Sequence, residues 1–316
     1  MSDTGGPRGG ASTLTIADLS GDVRRHRKEA VIKTSMFGTA LVSVLISALI
    51  IFALFDEAFV FVREVDWGNT WGQIGWFPRR GIYDIPTILV ATLIVTGIAM
   101  IIAAPLGLGA AIYLAEYANP RVRSILKPIL EVLAGIPSVV LGFFALQFIA
   151  PTIIDNIGGS DSGSMAAAGL GVGILTIPLV ASVSEDAMKA VPLSLREASA
   201  GLGARRMTTT VRIVLPAAAS GLVAAFIVAV SRAIGETMVV FLAGGRSDAS
   251  VYADGPFEPG LTMTAAMASL ATGTDSVVGE GLTVQSLYFV GALLFIMTLT
   301  LNVVADRFVA RVREQY

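Results

Sequence analysis

The stretch IVLPAAASGLVAAFIVAVSRAIGETMVVFLA, residues 213–243, decides the class of fold. A helix of roughly 20 predominantly apolar residues crosses a bilayer, and this run is longer than that. It carries only two charged residues, Arg232 and Glu236, whose spacing of four places them on one face of a helix. Charges inside a span are costly unless they are paired or face water or protein. The stretch therefore predicts a membrane-spanning helix with one paired or interior-facing charged side.

The composition extends this prediction to the whole chain. Hydrophobic residues make up 54% and charged residues only 15% of the sequence, far from the usage of soluble proteins. We therefore predict an all-α integral membrane protein with six transmembrane helices. The predicted spans are 34–55, 85–113, 126–150, 166–188, 213–243 and 284–306. The first is too long for a signal peptide and lacks a clear cleavage site, so it is predicted to be retained.

The distribution of basic residues predicts the orientation in the membrane. With both termini inside, the inner segments hold seventeen Lys and Arg residues and the outer segments four, which satisfies the positive-inside rule. The predicted organisation is a cytoplasmic tail (1–33), an additional N-terminal transmembrane helix (34–55), an external loop (56–84) and a five-helix core (85–316). The basic run RRHRK at 24–28 is predicted to flank the first span beside membrane lipid rather than to bind nucleic acid.

The sequence contains few residues of the types that catalysis or metal binding requires. The chain has no cysteine, and its single histidine, His26, lies in the polar N-terminal segment. These facts exclude a His/Cys metal site and a Ser-His-Asp triad within the spans. The spans hold no paired catalytic carboxylates, and the chain contains no Gly-Lys pair and therefore no P-loop. We predict a protein without an enzyme activity or a metal site of its own.

Prolines interrupt four of the predicted spans, at Pro105, Pro137, Pro178 and Pro216. A proline inside a span frees a backbone carbonyl, which neighbouring helices or water must satisfy. Four such breaks predict that some of them face a cavity, as a transport pathway requires. The two halves of the chain do not resemble each other, which argues against a secondary transporter built from inverted repeats.

The predicted cytoplasmic loop AVPLSLREASAGLGARRMTTTVRIVLP, residues 190–216, carries further information. Ser194 and Glu197 have the spacing of a capping box, and Gly201 and Gly203 are suited to end a helix. This predicts a short surface helix whose small exposed residues fit into a partner. The alternative is an ordinary amphipathic helix at the membrane surface.

Within this loop, Glu197, Ala198 and Gly201, followed by Leu215 and Pro216, resemble the EAA loop of ABC-importer permeases. The resemblance implies the type I ABC importer permease (MetI-like) fold. It also implies that these five residues couple the chain to cytoplasmic ATP-binding subunits. ATP and magnesium would then be bound by the partner ATPase, and this chain would need no cofactor.

Three further stretches narrow the resemblance: 112–146, 184–192 and SRAIGETMVV at 231–240. Together they are similar to the C-type permease subunits of high-affinity phosphate importers. This family implies a plasma-membrane subunit that pairs with a second permease and receives phosphate from an extracytoplasmic binding protein. It also implies that Arg232, Glu236 and Thr237 line the substrate pathway.

Physical chemistry supports a functional arginine but leaves its partner open. A guanidinium group offers a planar fork of donors that suits phosphate oxygens, and an ion pair with Glu236 would compensate Arg232 in the empty pathway. A pair that only fixes helix register is the alternative, and the two side chains could also reach other helices. Glu131 is predicted to be structural, as an acid near the N-terminus of the third span.

The sequence also leaves alternatives to phosphate as the substrate and to an ABC importer as the class of transporter. A permease for molybdate or sulfate would share the fold and the EAA loop. A secondary transporter would belong to a different class and would not depend on an ATPase.

Overall fold

The computed structural model describes residues 23–72, 74–158, 163–245, 251–272 and 281–312. Residues 1–22 of the predicted tail, and residues 159–162, 246–250 and 273–280 between the predicted spans, therefore lie outside the described residues. The chain divides into two compact units, residues 1–53 and 54–316. The helices are α1 (Val23–Glu64), α2 (Ile85–Ile112), α3 (Pro120–Ala134), α4 (Ser138–Phe144), α5 (Met165–Lys189), α6 (Leu193–Gly201), α7 (Arg206–Ala217), α8 (Ala219–Ile234), α9 (Met238–Ala243), α10 (Met263–Ala271) and α11 (Thr283–Val312).

Helix α1 is longer than the predicted first span. It runs from Val23 to Glu64 instead of 34–55, and the side chains described in the first unit are nearly all exposed. Its C-terminal part belongs to the second unit, where Phe61 is fully buried and stacks on Phe289 with ring centroids 4.7 Å apart. Packing of this kind extends the helix beyond the apolar run, so the loop predicted at 56–84 begins only after Glu64.

The remainder of that loop is a compact hairpin. Strands β1 (Trp76–Phe77) and β2 (Ile82–Tyr83) pair antiparallel, with Trp76 opposite Tyr83. Both of these aromatic side chains are buried, and their rings meet edge to face with centroids 5.9 Å apart. Burial of apolar aromatic surface therefore holds this segment against the helices.

Helices α2 and α5 form the centre of the second unit, and small residues allow them to approach closely. A side chain at Gly107 would place its Cβ 2.6 Å from the Cβ of Val180, and one at Gly169 would lie 2.7 Å from the Cβ of Ile98. Close approach through small residues is the usual way in which membrane helices gain packing energy. Both helices confirm predicted spans, and Pro105 and Pro178 lie inside them.

The predicted span 126–150 is wrong in its boundaries. Helix α3 ends at Ala134 and has no buried residue, and the chain breaks before Pro137, which caps α4. Proline disfavours helical backbone in the residue before it, which explains a break at this position. Helix α4 continues through a π-helical segment, so the apolar helix long enough to cross a membrane is Ser138–Ile157.

The run 213–243 is not one straight helix. Helices α7 and α8 meet at Ala218 with a bend of 71°, and three residues separate the end of α8 at Ile234 from the start of α9 at Met238. Pro216 lies beside the first break and Gly235 in the second. The structure has five helices long and apolar enough to cross a membrane within the described residues, or six if the bent pair is one span.

The last two helices complete the second unit. Helix α10 lies between the last two predicted spans, and its Met263, Ala265 and Ala266 are buried. It packs against α11, which confirms the predicted last span.

Candidate functional site

A cavity of about 400 Å³ lies between helices α3, α5 and α8. It extends along α5 from Leu175 to Glu185, which corresponds to about 15 Å of helix. Its lining, called here the charged cavity, consists of Lys127, Leu130, Glu131, Ala134, Leu175, Pro178, Leu179, Ser182, Glu185 and Arg232. The cavity lies beside Pro178, in agreement with the prediction that some proline breaks face a cavity. Four ionisable groups against an apolar wall make it the strongest candidate for a pathway.

Glu185 is the most buried of the charged residues, with a side chain only 1% exposed. Its Oε1 accepts a charged hydrogen bond from Lys189, one helical turn further along α5, and lies 2.9 Å from Nη2 of Arg123 on α3. Two cations therefore compensate this carboxylate, as a buried charge requires. Sequence reasoning missed Glu185. The available signal was an acid and a lysine four residues apart at the end of a predicted span.

Arg232 lines the charged cavity from the last turn of α8, as the sequence predicts for a pathway residue, and its side chain is exposed there. Glu236 does not share its helix face, because α8 ends at Ile234 and the chain turns at Gly235. Within the described part of the chain, no ion pair joins Arg232 to Glu236. Of the alternatives that the sequence left open, the Arg232–Glu236 ion pair is therefore not the one that this structure adopts.

Glu236 and Thr237 occupy the break between α8 and α9. The side chain of Glu236 is buried, and its backbone carbonyl accepts a hydrogen bond of 2.7 Å from Oγ1 of Thr264 on α10. Thr237 donates from Oγ1 to the carbonyl of Gly235, 3.3 Å away. Neither residue is part of the cavity lining, so of the three predicted pathway residues the structure brings only Arg232 to the cavity.

Lys127 and Glu131 reach the charged cavity from α3. Their spacing of four places both on one helix face. The structural role predicted for Glu131 assumed a position near a helix N-terminus, whereas the residue lies in the last turn of α3, which ends at Ala134. The helix dipole disfavours an acid at that end. The reason given for a purely structural Glu131 is therefore wrong.

The predicted surface helix in the loop 190–216 is α6. Pro192 occupies its N-cap position without a side-chain hydrogen bond, so the predicted capping box of Ser194 and Glu197 does not form. Gly201 is its last residue, and Gly203 has a φ of +77°, which favours glycine at the turn that follows. Three of the predicted coupling residues, Glu197, Ala198 and Gly201, are exposed on this helix.

Buried polar contacts hold α6 against the rest of the protein. Nη2 of Arg196 donates to Oε1 of Glu116 (2.9 Å) and to the carbonyl of Met188 (2.8 Å), and Nη1 donates to the carbonyl of Val191 (2.6 Å). Ser199 Oγ lies 2.8 Å from Oγ1 of Thr209 on α7. The sequence reasoning did not identify Arg196 or Glu116. They lie 80 residues apart, so no local pattern connects them.

The other two predicted coupling residues, Leu215 and Pro216, lie at the bend between α7 and α8 rather than on α6. Leu215 belongs to a hydrophobic cluster around buried Met188 and Val214, and Leu195 of α6 packs against the same cluster. One hydrophobic cluster therefore joins α6, the bend and the end of α5.

The described residues contain no group of three or more His, Cys, Asp or Glu side chains that could hold a metal ion. The charged cavity is instead suited to an anion, because Lys127 and Arg232 outnumber Glu131 and the two cations around Glu185 neutralise that acid.

Comparison with known proteins matches this architecture. The family model of the binding-protein-dependent transport system inner membrane component covers residues 103–314. Phosphate transport system permease protein PstC 1 of Mycobacterium tuberculosis is 32% identical over 284 residues, covering 80% of this chain and 82% of the relative. Phosphate transport system permease protein PstA 1 of the same species is 31% identical over 225 residues, with 71% of each chain covered.

A solved structure of a bacterial ABC transporter involved in the import of the acidic polysaccharide alginate shows the same fold. It matches with a TM-score of 0.61 at 13% identity and covers 92% of this chain and 100% of that chain. This likeness confirms the predicted ABC-importer permease fold.

Proposed function

Because the chain belongs to the family of binding-protein-dependent transport system inner membrane components, we propose that it is the permease subunit of an ATP-driven importer of inorganic phosphate. The observation that carries this proposal is the arginine that the bundle directs into the charged cavity. An arginine among membrane-spanning helices is costly and is usually retained for function. The named phosphate permeases among the relatives support phosphate as the substrate.

The charged cavity supplies what an anion pathway needs. Arg232 offers a planar fork of donors and Lys127 a second cation, while the apolar wall lowers the local dielectric and strengthens both attractions. Glu185 does not repel the anion strongly, because Arg123 and Lys189 compensate it. Arg232 is exposed at the cavity, so an arriving anion can reach its guanidinium group.

Coupling to ATP hydrolysis is assigned to α6. Its exposed Glu197, Ala198 and Gly201 would dock on a cytoplasmic ATPase subunit, which binds ATP and magnesium. Leu202, immediately after α6, is 90% exposed and adds an apolar contact. The Arg196–Glu116 ion pair would then transmit movement of α6 to the end of α2, and the hydrophobic cluster at Leu215 and Pro216 would transmit it to the bend.

The protein is a multi-pass membrane protein that acts without catalysis of its own. We place both termini in the cytoplasm on the distribution of basic residues. Its proposed partners are a second permease subunit, two cytoplasmic ATP-binding subunits and an extracytoplasmic phosphate-binding protein. Alternating access between the two permeases would carry phosphate through the membrane.

The test is uptake of labelled phosphate by cells that lack their own high-affinity importer and express this chain with its partner subunits. Wild type is expected to restore uptake, and unlabelled sulfate or molybdate is expected not to compete. Arg232→Gln is expected to lower uptake at least about tenfold, because it removes a charged hydrogen-bond donor. Arg307→Gln serves as the matched control, since Arg307 is exposed on α11 and lies outside the cavity lining.

Assembly of the complex is measured for every variant by co-purification of the ATPase subunits. Glu197→Lys is expected to weaken that co-purification without affecting the membrane insertion of the chain. Normal uptake by an assembled Arg232→Gln complex would refute the role of the arginine. Accumulation of sulfate or molybdate in place of phosphate would leave the family intact and change the substrate.

A further inference from the structure

The charges of the cavity divide into two groups. Glu185 is engaged by Arg123 and Lys189, and neither of these cations lines the cavity. For Lys127, Glu131 and Arg232, the described part of the chain provides no ion-pair partner within 4 Å. The cavity thus retains two uncommitted cations and one uncommitted carboxylate, a formal charge of +1.

We infer that Glu131 is a specificity-determining residue of the proposed phosphate pathway. Its carboxylate accepts a hydrogen bond from an O–H group of a protonated tetrahedral oxyanion, while Lys127 and Arg232 face the deprotonated oxygens. The inference rests on the proposed function and deepens it, because it names the class of anion that the cavity admits.

The chemistry of the oxyanions makes the carboxylate a discriminating group. Phosphate and arsenate keep at least one proton near neutral pH and can donate it, whereas sulfate and molybdate carry none. An ionised carboxylate only accepts hydrogen bonds. A fully deprotonated anion beside Glu131 would therefore place its oxygen acceptors against the carboxylate oxygens. The resulting repulsion rejects sulfate and molybdate.

The structure favours Glu131 over Glu185 for this role. Glu185 is 1% exposed and its Oε1 already accepts from two cations, whereas Glu131 is exposed at the cavity. Lys127 lies one helical turn before Glu131 on the same face of α3, so one helix presents a donor and an acceptor together. Apolar neighbours such as Leu130 and Leu179 limit the water that could replace either contact.

The experiment measures binding of labelled inorganic phosphate to the purified complex in lipid nanodiscs, without the external binding protein. Omitting that protein is necessary because it would impose its own selectivity. Arsenate and sulfate compete against the label in wild type, Glu131→Gln, Glu131→Asp and Lys127→Gln. Since α3 has no buried residue, these substitutions are expected to leave the fold intact, and Glu131→Ala provides a second removal of the carboxylate.

Arsenate is expected to displace labelled phosphate from wild type, and sulfate is not. In Glu131→Gln and Glu131→Ala the affinity for sulfate relative to phosphate is expected to rise about 10- to 100-fold, the factor that one hydrogen bond to a charged group implies. Glu131→Asp should keep the discrimination, because it keeps a carboxylate. Lys127→Gln should weaken the binding of phosphate and of arsenate by about 10- to 100-fold each, and sulfate should still fail to compete.

Two failures have different signatures. If wild type discriminates and both carboxylate-free variants discriminate equally well, the role of Glu131 is overturned while the phosphate pathway stands. If wild type shows no saturable phosphate binding, the cavity is not a phosphate site and the role of Glu131 is overturned. If sulfate competes with wild type as well as phosphate does, the proposed function itself is overturned.

Discussion

The ion pair between Arg196 and Glu116 gives the sharpest test of how α6 is held. Arg196 makes one hydrogen-bonded ion pair and two hydrogen bonds to backbone carbonyls, and its side chain is 20% exposed while that of Glu116 is 10% exposed. A hydrogen bond to a charged group contributes about 1.5–3 kcal/mol. Arg196→Gln keeps a shorter donor and gains partial hydration, so we expect a net loss of about 2 kcal/mol rather than the full sum of the three contacts.

The assay is amide hydrogen exchange of the purified complex, read over 193–205. A loss of about 2 kcal/mol in the local opening free energy corresponds to about 30-fold faster exchange there, since 1.4 kcal/mol is a factor of ten. Arg205→Gln is the matched control, because Arg205 is exposed in the same loop. ATP hydrolysis is expected to persist in Arg196→Gln, while uptake per ATP hydrolysed falls.

A double-mutant cycle with Glu116→Gln isolates the ion pair from the carbonyl contacts. The two single effects are expected to be non-additive by about 0.5 kcal/mol or more, the range for residues in direct contact. Unchanged exchange over 193–205 in Arg196→Gln, or additive effects in the cycle, would refute the claim that this pair anchors α6.

Two further perturbations test the packing of the second unit. Gly107→Val places a side chain 2.6 Å from the Cβ of Val180 and is expected to destabilise the protein by about 1–3 kcal/mol, whereas Gly97→Val, where a Cβ meets nothing within 4 Å, should leave the melting temperature nearly unchanged. Equal melting temperatures would contradict the close α2–α5 contact. Burial raises the pKa of the Tyr83 phenol above its ordinary value of 10.0. Folding therefore favours the protonated form, and the stability that Tyr83 contributes is fully present below pH 10.0 and declines as the pH rises through the folded pKa. Thermal melts of wild type and Tyr83→Phe at rising alkaline pH would check this, and an equally steep decline in both would refute it.

Much of the fold was predictable because it depends on local composition. A run of apolar residues long enough to cross a bilayer reads as a span wherever it occurs, and the spans at 85–113, 166–188 and 284–306 agree with α2, α5 and α11. The short helix α6 was also predictable, because Pro192 before it and Gly203 after it are local signals. The length of α1 was not, since the contact that extends it comes from Phe289 on the last helix.

Pro137 and Pro216 indicated interruptions of the predicted spans, but the direction of the chain at each break was not predictable. An apolar window contains no information about direction, so it reads the same whether the helix is straight or bent. The chain bends by 71° at Ala218, beside Pro216, and leaves the helix after Ile234, at Gly235, Glu236 and Thr237. That second break separated Arg232 from Glu236, which the helical period had placed together.

The sequence alone predicts that this protein spans a membrane, that a short helix lies in the loop 190–216, and that Arg232 is a functional candidate. Only the packing of the helices sets which charges pair: Arg196 with Glu116 across 80 residues, and Glu185 with Arg123 from another helix. The same packing places Arg232 in one cavity with Lys127 and Glu131 of α3. The physical reason is that membrane insertion depends on the apolar surface of each segment alone. Pairing of charges in a low-dielectric interior depends on distances that only the packing of several helices sets.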